Sequence, residues 1–403
     1  MSAQQRLDIR RMLLASVAFG ATAGIFNTAL GNYLHDVHAF GASARGWLEF
    51  PRELPGFLVV FTAGFLAVRY RESRTMAVAM LVTMTGAVGL ALFAPTAWLA
   101  VVWIFVWSAG DHMNFALEGP LGLKLAKQGG EGRRLGQFGG AKNLGGLLGA
   151  GAVYLIARAL GDDYRVFFLV AAAFVVVAAW NFFRMETGRR DQAPRHFVWR
   201  REYGVFYAIS ALFGIRKQIF YVFGTWVLVD IHHVRVSTIA TLMFLGAGLG
   251  VVARPLLGDV IDWIGERLVL SLDEAILALI CLVYAFADRV FAPGAALWAL
   301  YTAYVLDQTL FALRIARTTY LKKIAVDPAD ITPTMSLGVT IDHAVAMSLP
   351  IFSGWLWVHV GYAWVFVTAA AIALAGLGVC LRIRIPSPAP AAAGAPRPAT
   401  PSA

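Results

Sequence analysis

The chain contains 403 residues, of which 59% are hydrophobic and only 14% are charged. Soluble domains are about 45–50% apolar and about 25% charged, so this composition excludes a soluble enzyme and a soluble nucleic-acid-binding protein. One transmembrane helix needs roughly 20 apolar residues, and twelve would need about 240. The length therefore suits a membrane protein with many spans and short loops. Its net charge of +10 has to be interpreted loop by loop.

Apolar runs of spanning length follow one another along the chain. We predict twelve helices, at residues 12–34, 46–68, 75–94, 96–122, 135–160, 164–184, 202–229, 237–257, 268–290, 295–321, 332–358 and 361–382. An α-helix satisfies its own backbone hydrogen bonds inside a bilayer, so the expected fold class is an all-α polytopic membrane protein. The expected domains are a six-helix bundle at 1–184, a linker at 185–201, a second six-helix bundle at 202–385 and a disordered tail at 386–403.

Basic residues are distributed unevenly between the two sides of these helices. About 23 of the 34 Lys and Arg residues lie in segments that share a side with the N-terminus, and six lie within spans. The opposite side holds five, namely Arg45, Arg158, Arg165, Arg235 and Arg289. Because cytoplasmic loops carry the excess of Lys and Arg, both termini are expected to be cytoplasmic.

The second half of the sequence repeats the first at a nearly constant spacing. Residues recur 194 positions later, with Ser16, Phe19, Gly20, Ile25, Phe26 and Leu34 matched by Ser210, Phe213, Gly214, Ile219, Phe220 and Leu228. Asp111 and Phe115 recur at 196 as Asp307 and Phe311, and Tyr164 recurs at 198 as Tyr362. This small drift indicates two parallel six-helix units built on one plan.

Two parallel six-helix repeats joined by a basic loop resemble the major facilitator superfamily of secondary transporters. The loop 258–267 resembles that family's G-x-x-x-D-x-x-G-x-R motif, with Gly258, Asp262, Gly265 and Arg267 at the motif positions. The resemblance implies that these four residues take part in gating. The first-half loop keeps only Gly64 of the same pattern, so a latch is better supported in the second half.

The same resemblance implies alternating access around a central cavity lined by spans 1, 4, 7 and 10. It also implies a monomer in a bacterial inner membrane, with a small-molecule substrate and the lipid bilayer as partners and no nucleic acid. The glycines Gly136, Gly145 and Gly149 resemble the start of a fifth-span motif associated with antiporters. Close packing between two helices explains such small residues equally well.

Ionisable residues inside spans are functional candidates, because a charge in a bilayer is costly unless it is paired or hydrated. Asp111 and Asp307 occupy matching positions of the two repeats, near mid-membrane. Either could couple transport to a proton or to the substrate, or could be held in a permanent ion pair. Asp342 and His343 are adjacent in span 11 and suggest a proton relay or buried hydrogen bonding.

Cationic residues near mid-membrane indicate which charge the transported solute carries. Arg216 and Lys217 in span 7, together with Arg314, could hold a carboxylate or phosphate, or could neutralise Asp307 and Asp342. We therefore expect a slight preference for a polar or anionic solute.

Further candidates for the cavity and its gates lie in spans 2, 4, 5 and 10. Lys142, Asn143 and His112 could line the cavity. Glu118 and Arg314 sit at matching repeat positions with opposite charge and could close the cytoplasmic mouth. The other gating candidates form an outer gate or a local ion-paired cluster in span 2, namely Glu49, Arg52 and Glu53.

The function expected from these features is secondary active transport, coupled to H⁺ and slightly favouring import. Efflux of lipophilic cations is the first alternative, and a non-transporting sensor or assembly scaffold is the second. We expect no enzyme and no cofactor, because the sequence has no phosphate-binding loop and no Cys/His metal motif. The only other metal candidates are histidines at the outer helix ends, namely His35, His38, His232 and His233.

Overall fold

The computed structural model describes residues 2–69, 71–127, 130–186, 198–310, 313 and 315–385. Within these ranges, the side chains of 59–69, 131–132, 252–259, 262, 315, 328 and 332 lie outside the description. The described residues are almost entirely helical and contain no β-strand, as their composition predicts.

Six helices form the first half of the molecule. Their bounds are α1 Ala3–Asp36, α2 Ala42–Arg69, α3 Glu72–Leu92, α4 Ala97–Lys124, α5 Glu131–Leu160 and α6 Tyr164–Arg184. Side-chain caps define three of the starts, because Ser2, Thr96 and Asp163 each accept a hydrogen bond from a backbone N–H of the first turn. Helix α1 packs on α5 and α6, and α3 packs on α4 and α6.

The second half has the same order with two irregularities. Its helices are α7 Gly204–Gln218, α8 Val236–Val290, α9 Pro293–Leu310, α10 Ile315–Ile324, α11 Ile331–His359 and α12 Tyr362–Cys380. Helix α7 continues through two π-helical segments, Ile219–Gly224 and Val227–Ile231. Helix α8 contains two predicted spans, separated at Gly265, whose positive φ of 81° breaks the helical geometry.

The positions of the described helices agree with the predicted spans. Helices α9 and α10 together correspond to the span predicted at 295–321. By length and composition, eight described segments are apolar enough to cross a membrane. The spans predicted at 46–68, 96–122, 237–257 and 295–321 do not reach that criterion on the described residues. The domain boundaries at 184 and 202 stay predictions, because residues 187–197 and 386–403 lie outside the description.

Glycines bring α1 and α5 into backbone contact. A Cβ atom added at Gly145 would lie 2.0 Å from the carbonyl oxygen of Val17, and one at Gly149 would lie 2.2 Å from that of Ala21. In contrast, a Cβ added at Gly136 would meet no atom within 4 Å. The two later glycines of the fifth-span pattern therefore serve close helix packing.

We predict that Gly145→Val destabilises the protein, because the added methyl groups would overlap the α1 backbone. Overpacking of this kind costs about 1–3 kcal/mol or more. Thermal unfolding in detergent should show a lower midpoint for Gly145→Val, and Gly136→Val is the matched control on the same helix. Equal midpoints for the two variants would contradict the α1–α5 packing described here.

Candidate functional site

The helices alternate in direction, so the bundle has two sides. We call the side where α1 begins and α12 ends the termini side, and the side where α1 ends and α2 begins the far side. Both ends of α8 lie at the far side. Asp288 near its end contacts His232 and Tyr362 there, whereas Glu266 in its middle contacts Lys323 at the termini side.

A buried network of charges, the Glu53 network, joins the two halves between the sides. The Glu53 carboxylate is 2% exposed. Its Oε1 atom lies 2.5 Å from Arg52 Nη2, and its Oε2 atom lies 2.8 Å from His343 Nδ1. Lys217 Nζ lies 3.5 Å from the same Oε2 atom and 3.3 Å from Asp342 Oδ1. Helices α7 and α11 of the second half thus bind a carboxylate of the first half.

The network extends along α2 towards the far side. Arg52 also binds Glu49 at 2.5 Å, and Glu49 pairs with the buried Arg45. Helical spacing explains the pairs, because residues three or four positions apart lie on one helix face. The guanidinium of Arg52 also lies 4.8 Å from the ring centroid of Tyr221 in the second half.

Two histidines, one from each half, approach the same oxygen of the Glu53 carboxylate. His112 Nε2 is 3.9 Å from Glu53 Oε2, and its ring centroid is 5.0 Å from that of His343. His112 Nδ1 lies 2.9 Å from the backbone oxygen of Ser108. The rings lie against Gly56, where an added Cβ would be 2.5 Å from His112 Nε2 and 2.7 Å from His343 Cε1. The absent side chain at position 56 is therefore what allows both rings to reach Glu53.

A second buried cluster, the Arg216 cluster, lies wholly within the second half. Arg216 donates to Asp307 Oδ1 from Nη2 at 3.0 Å and from Nε at 3.2 Å. Its Nη1 atom donates to Asp273 Oδ2 at 2.5 Å. One Asp273 oxygen, Oδ1, has no hydrogen-bond partner among the described residues. This cluster therefore sets two carboxylates against one guanidinium.

The contacts between the halves are concentrated at the far side. There, His35 of α1 lies 2.7 Å from Asp36 and 3.7 Å from Asp230 of the second half. In the α5–α6 loop, burial and the neighbouring Asp36 raise the pKa of Asp162, and Arg235 of the second half opposes this shift. The backbones of α2 and α11 also come close together, since a Cβ added at Gly46 would lie 2.2 Å from the backbone oxygen of Pro350.

The repeat symmetry is visible in these contacts. Tyr221 donates to Asn27 Oδ1 at 2.6 Å across the interface, and the two residues are 194 positions apart. At the termini side, two buried glutamates with the same spacing each pair within one half. Glu72 binds Lys124 at 2.6 Å, and Glu266 binds Lys323 at 2.7 Å.

Several predicted site residues meet partners that differ from the expected ones. Glu118 binds Lys142 at 2.9 Å within the first half. Arg314, its expected partner, lies outside the described residues, so that gate stays a prediction. Asp342 and His343 do not contact each other but bind Lys217 and Glu53, respectively. Neighbours on a helix point about 100° apart, which explains why the two side chains bind different partners. Their expected part in a proton relay stays a prediction.

Other candidates stay predictions. Asp111 is half-buried and makes no hydrogen bond or ion pair with a described residue, and Asn143 is partly exposed on α5. In the loop motif, Gly258 lies in α8, Gly265 forms the break and Arg267 is exposed, whereas the Asp262 side chain is outside the description. Of the four outer histidines, His35 and His233 lie with their ring centroids 6.1 Å apart. His38 contacts the Tyr33 hydroxyl at 2.9 Å, and His232 lies 3.5 Å from Asp288.

Sequence reasoning missed two members of the buried clusters. Arg45, one of the five basic residues counted on the side opposite the N-terminus, is 3% exposed and pairs with Glu49. Asp273 is not among the predicted site residues, although it stands beside Glu274 in the middle of the span 268–290. The rule that flags ionisable residues inside spans would have found it.

We predict that Arg216→Met strongly destabilises the protein, because it leaves two buried carboxylates without their cation. Breaking a buried pair in this way costs about 3–5 kcal/mol. The triple variant Arg216→Met, Asp273→Asn, Asp307→Asn should regain much of this stability, as measured by the free energy of unfolding in detergent. If Arg216→Met alone had the same free energy of unfolding as wild type, this would contradict the ion pairing described for this cluster.

The fold is similar to those of solved membrane transporters. The nucleoside transporter NupG matches with a TM-score of 0.73 and 14% identity, over 94% of this chain and 98% of that chain. The inward-open xylose transporter XylE from E. coli matches with a TM-score of 0.72 and 13% identity, over 93% and 95%. A bacterial homologue of the human lysosomal transporter Spinster, inward-facing and occupied, matches with a TM-score of 0.73 and 13% identity, over 96% and 100%.

At these identities the structures establish the fold alone, and the expected all-α architecture of two six-helix bundles is confirmed. No curated protein sequence matches the chain. The family model described as Major Facilitator Superfamily matches residues 12–322. This match covers most of the sequence and agrees with the resemblance seen in its repeats and loop motif. The chain therefore belongs to the major facilitator superfamily of membrane transporters.

Proposed function

We propose that this protein is a proton-coupled secondary transporter that moves a small polar organic solute by alternating access. The observation that carries the proposal is the Glu53 network, in which ion pairs connect one half to the other. Alternating access requires two halves that separate at one side while they close at the other. Contacts of Glu53 with Lys217 and His343 can break when the halves separate at the far side. The ion pairs of Glu72 and Glu266 lie within single halves and can persist.

The Arg216 cluster supports proton coupling. With both Asp273 and Asp307 ionised, the cluster would carry one uncompensated negative charge at cavity depth, which is costly in a bilayer. One proton shared by the two carboxyl groups removes this charge. The unpartnered Asp273 Oδ1 atom is a free position for that proton. We therefore assign the coupling proton to Asp273 and Asp307, and Arg216 keeps the two carboxyl groups together.

The solute that fits these charges best is one without a net negative charge. The expected preference for an anion rests on Arg216, Lys217 and Arg314. Arg216 and Lys217 are each bound to two carboxylates, and Arg314 lies outside the described residues. Neither Arg216 nor Lys217 is left to bind an anion in this arrangement. Import and export both remain compatible with the proposal. If both termini are cytoplasmic, as the basic residues predict, the far-side contacts correspond to an inward-facing state.

Efflux of lipophilic cations is the second candidate, favoured by one specific observation. Asp111 has no ion-pair partner among the described residues, and Phe115 one helical turn away is 52% exposed. A carboxylate beside an accessible aromatic ring can bind an organic cation. Transport of cationic dyes that disappears in Asp111→Asn would favour this candidate over a neutral solute.

We predict that Asp273→Asn and Asp307→Asn abolish proton-driven accumulation while leaving solute exchange in place. Each substitution removes one carboxyl group of the shared-proton pair, so binding of the solute need not couple to a proton. The measurement is uptake in proteoliposomes that contain a pH-sensitive dye, after counterflow has selected a solute from sugars, organic acids, amino acids and cationic dyes.

The matched control is Glu186→Gln, which removes an exposed carboxylate just after α6. In both wild-type protein and the control, solute accumulation should be accompanied by a change in the pH of the lumen. Unchanged accumulation in both aspartate variants would refute the coupling assignment. An absence of gradient-coupled flux in wild type would refute the proposed function itself.

A further inference from the structure

We infer that Glu53, His112 and His343 form a binding site for a divalent transition-metal ion, such as Zn²⁺, that bridges the two halves. One ligand atom from each of these three buried side chains lies within 4.8 Å of the others. The inference does not depend on transport, because metal binding can be measured on the purified protein.

The donor set selects the kind of metal. Two imidazole nitrogens and one carboxylate oxygen suit Zn²⁺, Co²⁺ or Ni²⁺, whereas Ca²⁺ and Mg²⁺ prefer a shell of oxygen atoms. A tetrahedral ion with bonds of about 2.0–2.2 Å needs ligand atoms roughly 3.3–3.5 Å apart. The Glu53–His343 contact of 2.8 Å would lengthen slightly and the Glu53–His112 contact of 3.9 Å would shorten. Only small side-chain movements are therefore needed.

The orientation of His112 is the observation that points to a bound cation. The Ser108 backbone oxygen, 2.9 Å from His112 Nδ1, can only accept a hydrogen bond. The Ser108 hydroxyl, 3.0 Å from the same nitrogen, already donates to the Arg52 backbone oxygen, so a proton on His112 Nδ1 satisfies both contacts. In the neutral ring, Nε2 then carries a lone pair and faces the Glu53 carboxylate at 3.9 Å. Two acceptors facing each other in a buried site favour a cation between them. A backbone oxygen that orients the other ring nitrogen is also the usual support of a metal-binding histidine.

Neighbouring charges set the conditions for binding. The Glu53 network pairs three carboxylates, Glu49, Glu53 and Asp342, with three basic side chains, Arg45, Arg52 and Lys217. Asp111, next to His112 in the chain, adds one negative charge without a partner among the described residues. A divalent ion that carries hydroxide as its fourth ligand supplies one net positive charge and restores the balance. When the metal ion replaces Lys217 beside Glu53, Lys217 can keep its contact with Asp342 at 3.3 Å.

The consequence for the protein is a bond between the halves. Glu53 and His112 belong to α2 and α4 of the first half, and His343 belongs to α11 of the second. An ion held by all three would keep these helices together and would oppose separation of the halves at the far side. The site would therefore act as a lock on the far-side-closed state.

The test is titration of the purified full-length protein in detergent with Co²⁺, whose visible absorption reports the ligand geometry, followed by displacement with Zn²⁺. We expect one saturable site per chain with the intense bands of four-coordinate cobalt. Glu53→Gln, His112→Gln and His343→Gln should each weaken it by about tenfold or more, by analogy with the cost of losing even an outer-shell partner. His359→Gln, which changes an exposed histidine bound to the Trp355 backbone, is the matched control.

Gly56→Ala keeps every ligand atom and tests the geometry separately. Its methyl group would push both rings away from Glu53, so Co²⁺ binding should weaken while the thermal unfolding of the metal-free protein shows that the variant is folded. Absence of saturable binding by wild type would overturn the proposal. Binding that is unchanged in the three ligand variants would also overturn it, because the ion would then occupy other groups, such as the outer histidines.

Discussion

The cost of placing charges inside an apolar bundle governs the functional architecture of this protein. An ionised side chain in a bilayer is tolerated only when a partner or water compensates it. Glu53 satisfies this condition by binding Arg52, Lys217 and His343 at once, two of which belong to the other half. The two halves are therefore held together by the same interaction that makes burial of the charge possible. When the halves separate, Glu53 and Lys217 need new partners for their charges. The conformation of the protein therefore depends on how these two charges are compensated.

The two buried clusters have different relations to the movement of the halves. The Arg216 cluster lies within the second half, so its contacts can survive a rigid-body motion. The Glu53 network crosses the interface, so the contacts of Glu53 with α7 and α11 cannot survive such a motion. Under the proposed function, the first cluster carries the coupling proton and the second acts as the conformational latch. Arg216 and Lys217 are adjacent in α7. One short segment of α7 therefore connects the cluster proposed to carry the proton with the network proposed to be the latch.

The fold could be predicted from the sequence almost completely. Long apolar runs mark the positions of membrane helices, and the repeat spacing shows that they form two units of six. Neutralisation of Asp307 and Asp342 by Arg216 and Lys217 is one of the two alternatives that the sequence leaves open. In the structure, Lys217 pairs with Asp342 and Arg216 with Asp307. The sequence could not predict which charges meet across the interface. Glu53 and His343 are 290 positions apart, and their contact depends on helix rotation and on the missing side chain at Gly56. The burial of Arg45 could not be predicted either, because a basic residue near a helix end resembles a loop charge.

The central claim is that Lys217 closes the far side by bridging Glu53 and Asp342. Pulsed electron paramagnetic resonance can test it, on protein whose Cys281 and Cys380 are replaced by alanine. One pair of spin labels, at Val37 and Val290, spans the far side, and a second pair, at Leu7 and Val326, spans the termini side. The account predicts that Lys217→Met lengthens the far-side distance and shortens the termini-side distance relative to the same protein with Lys217. Distance distributions that Lys217→Met leaves unchanged at both sides would contradict it.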